Sequence, residues 1–120
     1  MLFFSSSLNG TMKLYEAKRD SINEVWEDYS LIKGITGKTI TFPNLLNDSL
    51  LTYAKKTENN DFDIFIAKNK NGVWTEARNW EELNSTADDF GVEMIDSISG
   101  YFTSNREGKI DEIFYFNTEN

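Results

Sequence analysis

An all-β fold of repeated antiparallel sheets is predicted by three observations. Short runs rich in aromatic and β-branched residues recur along the chain, turn-forming pairs separate them, and no window longer than about ten residues sustains the i, i+3, i+4, i+7 spacing of an amphipathic helix. The runs are Leu2 to Ser5, Leu14 to Ala17, Thr39 to Phe42, Leu50 to Ala54, Ile64 to Ala67, Val73 to Thr75, Val92 to Ile95, Tyr101 to Ser104 and Ile113 to Phe116. Asn9-Gly10, Asn47-Asp48, Asn71-Gly72, Ser99-Gly100 and Glu107-Gly108 are the expected turns, at hairpin spacing. Two patches depart from the pattern, Ser21 to Asp28 and Asn79 to Asp89, and in the second Trp80-Glu81-Glu82-Leu83 suits one short helical turn on a loop.

The runs repeat. A shift of 49 places Tyr53 on Phe102, Ile64 on Ile113 and Phe65 on Phe114, and a shift of 50 places Phe3 on Tyr53, Leu14 on Ile64, Tyr15 on Phe65, Ala17 on Ala67 and Lys18 on Lys68. Trp26 and Trp74 fall at nearly equivalent places. Each unit reads as an apolar-aromatic strand, a polar turn, and a strand with an aliphatic-aromatic pair. About four short strands in about 50 residues is the size of a β-propeller blade, a small sheet that buries both faces only when neighbours stack on it. The chain therefore reads as one partial propeller domain over residues 1–120, about two and a half blades, either a fragment of a larger propeller or a partial one completed by another chain. Blade 1 spans about 1–38 and lacks its innermost strand, blade 2 spans about 39–87 and is complete, and blade 3 spans about 88–120 and lacks its outermost strand.

Composition sets limits on function. A chain of 120 residues with 39% hydrophobic and 27% charged residues suits one packed domain. The net charge of −8 opposes nucleic-acid binding, because a polyanion gains nothing from an acidic surface. No stretch approaches the length of a membrane-spanning helix, and Met1-Leu2-Phe3-Phe4 is too short for a secretory apolar region. There is no cysteine and no histidine, so disulfides, thiol catalysis and imidazole chemistry are excluded. No metal or cofactor is expected.

Asp88-Asp89-Phe90-Gly91-Val92-Glu93-Met94-Ile95-Asp96, followed by Gly100-Tyr101-Phe102-Thr103-Ser104-Asn105-Arg106 and Asp111-Glu112-Ile113-Phe114-Tyr115, resembles the TolB-type, WD40-like propeller repeat. The version it most resembles occurs in Bacteroidota envelope proteins that combine a propeller with an OmpA-like domain. Asp63 to Lys68, Asn71 to Ala77 and Leu83-Asn84-Ser85 fit the connection between consecutive blades of that family. The likeness covers about residues 48–117, is weaker over 2–30, and fails over 31–47. It implies a non-catalytic binding scaffold in the periplasm or at the outer membrane, with protein partners that are peptidoglycan- or secretion-associated. Fold kinship alone is an associational warrant for function.

Asp88, Asp89, Asn105 and Arg106 are the candidate binding residues, the two aspartates before an inner strand at a rim of the central channel and Asn105 and Arg106 after a strand on the propeller face. Arg106 reads as a stem packed along the blade with turn carbonyls as acceptors, in preference to a ligand-binding arginine. Asp88 and Asp89 are adjacent on a strand and point to opposite faces, so a shared catalytic dyad is not expected. Asp61, Asp63, Asp111 and Glu112 supply oxygen ligands of the kind calcium takes, but match no EF-hand spacing and suit turns that cap backbone N–H groups. Trp26, Trp74 and Trp80 read as packing between blades in preference to sugar-stacking platforms. Asn71-Gly72-Val73-Trp74 reads as a hairpin turn with a buried tryptophan, and Lys55, Lys56, Lys68 and Lys70 as a solvated face. Rival readings are a small acidic inhibitor or immunity-type protein that mimics nucleic acid, and a fragment of a propeller hydrolase, for which the chain supplies few catalytic groups. Unpaired blade edges invite strand addition, so self-association into a closed ring or swapped dimer is a further expectation.

Overall fold

The computed structural model describes residues 1–8, 10–26 and 28–119. Among these there is no helix, and ten strands form three antiparallel sheets. The first sheet holds β1 (Leu2–Ser6), β2 (Lys13–Lys18) and β3 (Asp28–Leu31). The middle sheet holds β4 (Ile40–Asn47), β5 (Leu50–Lys56), β6 (Phe62–Lys70) and β7 (Val73–Asn79). The third holds β8 (Asp89–Met94), β9 (Ser99–Ser104) and β10 (Glu112–Asn117). In each sheet, strands adjacent in sequence are adjacent in space, as local hairpin turns dictate. Among the described residues the first sheet has no counterpart of β4, and the third has none of β7.

Alternation along β5 and β6 makes the middle sheet apolar on both faces. Leu51, Tyr53 and Ala67 face the first sheet in a core with Leu14, Ile32, Ile35, Ile40 and Trp74. Ile64 and Ile66 face the third in a core with Trp80, Leu83, Val92, Phe102 and Phe116. The middle sheet is thus the filling between two others. The strands β1, β4 and β8 follow one another at the junctions: Ser5 Oγ meets Thr41 Oγ1 at 3.1 Å, and Asn44 Nδ2 donates to the Val92 carbonyl at 2.5 Å.

The register sharpens the repeat. Phe4 pairs with Tyr15, Tyr53 with Phe65 and Phe102 with Phe114, and each pair stacks with ring centroids 5.6, 5.8 and 5.8 Å apart. Phe4, not Phe3, is therefore the counterpart of Tyr53. The first hairpin is one residue shorter between its paired aromatics, which displaces an ungapped alignment by one and so puts the wrong face of β1 in register. Phe3 instead meets Trp74 edge to face at 5.6 Å in the core.

Several turns lie where expected. Asn71 and Gly72 both have positive φ (54° and 87°) and join β6 to β7 as a two-residue hairpin with Trp74 buried behind it. Gly10 turns with its N–H on the Ser7 carbonyl, while Asn9 beside it and Glu27 beside Trp26 lie outside the described residues. Residues 80–84 make a turn through Leu83 N to Trp80 O and Asn84 N to Glu81 O.

Three expectations are corrected. Ser99-Gly100 is not a turn but the start of β9, and Asp96 Oδ1 closes the hairpin before it, accepting from Ile98 N, Ser99 N and Ser99 Oγ at 2.7–2.9 Å. Those bonds hold the Asp96 carboxyl below its usual range. Gly100 is needed for a close approach instead, because a Cβ there would run into the Glu93 carbonyl oxygen of β8. The strand β3 is not among the expected runs: it is four residues long and exposed throughout, too short for its Tyr29–Leu31 alternation to stand out, and exists through its pairing with β2. Trp26 does not pack between sheets: it lies before β3 with the Arg19 guanidinium 4.3 Å over its ring. Trp74 and Trp80 do fill the two junctions.

Candidate functional site

The four candidate residues meet at one end of the third sheet. Asp89 opens β8 opposite Ser104 on β9, and its carboxylate is fully buried. Its Oδ1 accepts from Ser104 Oγ at 2.6 Å and from Arg106 Nη2 at 2.9 Å, and its Oδ2 from Ser85 N at 2.6 Å and Ser85 Oγ at 2.9 Å. Arg106 also donates from Nε to Ser104 Oγ at 3.1 Å and from Nη2 to the Leu83 carbonyl. Its guanidinium lies 5.0 Å over Phe102 and 5.3 Å from Phe114, capping the stacked pair.

Asp88 points elsewhere, as alternation requires. Its Oδ1 accepts from Phe62 N at 2.9 Å, which ties the third sheet to the middle one, and its backbone N–H donates to Asn105 Oδ1 at 2.8 Å. The two aspartates share no partner. Sequence reasoning missed Ser85 and Ser104, which complete the Asp89 shell, and Asn84, whose side-chain amide bonds both backbone groups of Ile64 at 2.7 and 2.9 Å. A serine opposite an aspartate is a weak signal, and only strand register connects the two. This assembly can do one thing chemically without rearrangement, which is to lock a junction: the polar atoms of Asp89 are already occupied by protein groups.

The acidic cluster does not assemble. Asp61 accepts from the Thr57 hydroxyl and Asp63 Oδ2 from Asn79 Nδ2 at 3.1 Å, whereas Asp111 and Glu112 are exposed. No group of three or more potential metal ligands occurs among the described residues. Asp63 Oδ1 is buried without a hydrogen-bond partner, and burial, with Asp61 and Asp89 nearby, holds this carboxyl above its usual range.

The corresponding corner of the middle sheet is built differently. Ile40 occupies there the place of Asp89, and Lys55 that of Ser104. Lys55 is not solvated: it pairs with Glu76 at 2.6 Å, and its ammonium lies 4.4 Å over Phe65. The Tyr53 hydroxyl donates to the same Glu76 oxygen at 2.6 Å, and burial followed by this carboxylate drives its pKa strongly upward. Lys56 lies 5.3 Å over Phe62, while Lys68 and Lys70 are exposed as expected. Beside these residues an open cleft of about 600 Å³ is lined by Lys38, Lys55, Lys56, Glu58 and Phe65.

Compared with protein-family models, curated proteins and solved structures, the chain matches none.

Proposed function

We propose that the protein is a non-catalytic β-propeller-type binding and scaffold module of a cell-envelope protein, periplasmic or associated with the outer membrane, that engages protein or glycan partners. The observation that carries the reading is the threefold recurrence of a small sheet with a stacked aromatic pair at one register position, each sheet laid against the next. Propeller blades around an axis are built from units of this kind, which is what supports the reading. The polar cluster of Asp89, Ser85, Ser104 and Arg106 bonds within itself, which favours a structural role for it over a catalytic one. The cleft between Lys38, Lys56 and Phe65 offers cations and an aromatic face to an acidic group of a partner. The envelope location rests on the family resemblance alone.

The test replaces Lys38 with a photo-crosslinking amino acid in the producing cells, followed by irradiation and fractionation. The expected result is a crosslinked adduct of discrete mass in the envelope fraction. Recovery of the chain in the cytosolic fraction without an adduct would overturn the reading.

A further inference from the structure

On a chain of net charge −8, four of the nine lysines gather at one turn. Lys13 Nζ donates to the Gly37 carbonyl at 3.1 Å and Lys55 Nζ to the Thr36 carbonyl at 3.3 Å, while Lys38 and Lys56 line the open cleft of about 600 Å³ beside them. Glu76 pairs with Lys55, and the acid in the cleft wall, Glu58, is exposed. Among the described residues no carboxylate forms an ion pair with Lys38 or Lys56. The cleft thus concentrates cations within an acidic surface, which draws in a single acidic group while the rest of the molecule repels a polyanion.

An aromatic strip begins at the same cleft. The Lys56 ammonium lies 5.3 Å over Phe62, Phe62 meets Phe90 edge to face at 6.4 Å, and Phe90 stacks on Phe42 at 4.7 Å. Phe42 ends the strip 45% exposed, beside a hollow of about 190 Å³ that it lines with Pro43 and Gly91. Its φ of 53° is left-handed, a conformation that strains a bulky residue, and the equivalent bulge of β8 adopts the same conformation without strain by carrying Gly91. The bulge of β4 thus suits a glycine and carries an exposed phenylalanine. Strain held at an exposed position points to a contact made by the side chain. The three rings carry no hydroxyl or ring N–H for sugar hydroxyls, so the contact suits an apolar side chain better than a glycan.

We propose that the lysine cleft and the phenylalanine strip form one site for an extended peptide segment of a partner protein that carries an acidic and an apolar residue. The aspartate or glutamate of the segment enters the cleft of Lys38 and Lys56, and a large apolar side chain about three to five residues away covers Phe42, a span that an extended chain of that length bridges. This inference rests on the binding-module reading above and names the partner chemistry of its cleft. Charge holds one end and apolar burial the other, so added salt weakens the contact without abolishing it.

The experiment selects random octapeptides displayed on phage for binding to the full chain, with the double variant Lys38→Glu, Lys56→Glu as counter-selection, and measures the synthetic consensus peptide by isothermal titration calorimetry. Enriched sequences are expected to pair an acid with a large apolar residue at that spacing. The consensus peptide is expected to bind at least roughly tenfold more weakly to the double variant and roughly fivefold more weakly to Phe42→Gly, which keeps the bulge, with circular dichroism confirming each fold. Where the double variant fails to fold, Lys38→Glu alone takes its place. No enrichment over the charge-reversed variant overturns the proposal. So does a consensus whose affinity Phe42→Gly leaves unchanged, which reduces the site to an anion cleft, or trigalacturonate binding that requires Phe42 and exceeds the peptide's, which assigns the site to a glycan. An envelope adduct at Lys38 without peptide enrichment removes the peptide and leaves the scaffold reading standing. A peptide that requires Phe42, with the chain recovered in the cytosol, keeps the site and removes the envelope location.

Discussion

The two sheet-to-sheet junctions occupy equivalent places in the repeat but are held by opposite chemistry. Where the middle sheet opens with Ile40, packed among Ile32, Ile35 and Trp74, the third opens with Asp89, bonded to Ser85, Ser104 and Arg106. Ile40 and Asp89 are both wholly inaccessible. The backbone hardly distinguishes them: both opening strands carry a bulge just inside their start, with Phe42 (φ 53°) on one and Gly91 (φ 69°) on the other in the left-handed region. Even the cation over the aromatic pair recurs, as Lys55 against Glu76 in one and Arg106 against Asp89 in the other. One scaffold thus accepts either an apolar plug or a saturated polar network at the same point. The requirement at a buried position is that every group be satisfied, not that it be apolar.

The comparison breaks hardest at the tryptophans. Trp74→Ala in the apolar junction and Trp80→Ala in the polar one are each expected to lose about 4 kcal/mol of unfolding free energy in urea titrations, from lost burial plus the cavity left behind. Equal losses would mean that the aromatic fill, rather than the polar network, carries both junctions.

Asp89→Ala is expected to lose about 3 kcal/mol in the same titrations, because Arg106, Ser85 and Ser104 are left without their common acceptor. The double variant Asp89→Ile with Arg106→Met, which copies the chemistry of the first junction, is expected to regain at least half of that loss. A double variant as unstable as the single one would show that the third sheet needs the ion pair itself. Gly100→Ala follows at roughly 2 kcal/mol, since β8 must move off β9 to admit the new methyl group, and its thermal midpoint reports the cost.

Asp63, on the polar side only, sharpens the comparison through pH. Its carboxyl is raised above the ordinary value by burial, so the contribution it makes to stability is present at acid pH and is lost as pH rises through its folded-state value. Asp63→Asn keeps an acceptor for Asn79 and places a donor at the orphan oxygen. The variant is expected to melt higher than wild type at neutral pH and to lose that advantage as the pH falls and the wild-type carboxyl takes up its proton, which leaves both chains uncharged at this position. A constant difference across pH would show that the carboxylate charge is not what costs stability. The smallest effect is Phe42→Gly, which makes the middle bulge resemble the third: relief of left-handed strain and loss of the 4.7 Å stack on Phe90 are each about 1 kcal/mol and oppose one another, so the melting midpoint hardly moves.

Much of the strand layout is legible because it is local. The runs around Tyr53, Ile64 and Phe102 announce themselves by residue type, and Asn71-Gly72 names its own turn. Glycine was the ambiguous letter: Gly72 turns the chain, whereas Gly100 lies inside a strand because a neighbour's carbonyl comes too close for a side chain. The short β3 went unannounced because its Tyr29–Leu31 alternation spans only four residues, all exposed. For the candidate site, the sequence offered Asp88 and Asp89 before one strand and Asn105 and Arg106 after another, and register brought them together with Ser85 and Ser104.

What the amino-acid sequence determined by itself is the all-β character, the 49- to 50-residue period, and the aromatic pair at the centre of each unit, since these follow from propensity, turn chemistry and spacing along the chain. Only the tertiary structure decided which face each strand turns to its neighbour, that Phe4 and not Phe3 begins the repeat, and that Arg106 bonds Asp89 at one end of the third sheet rather than standing free. Those outcomes depend on hairpin length and on contacts between residues far apart in sequence. A one-residue change in a turn exchanges the two faces of a strand without altering the composition that announces it.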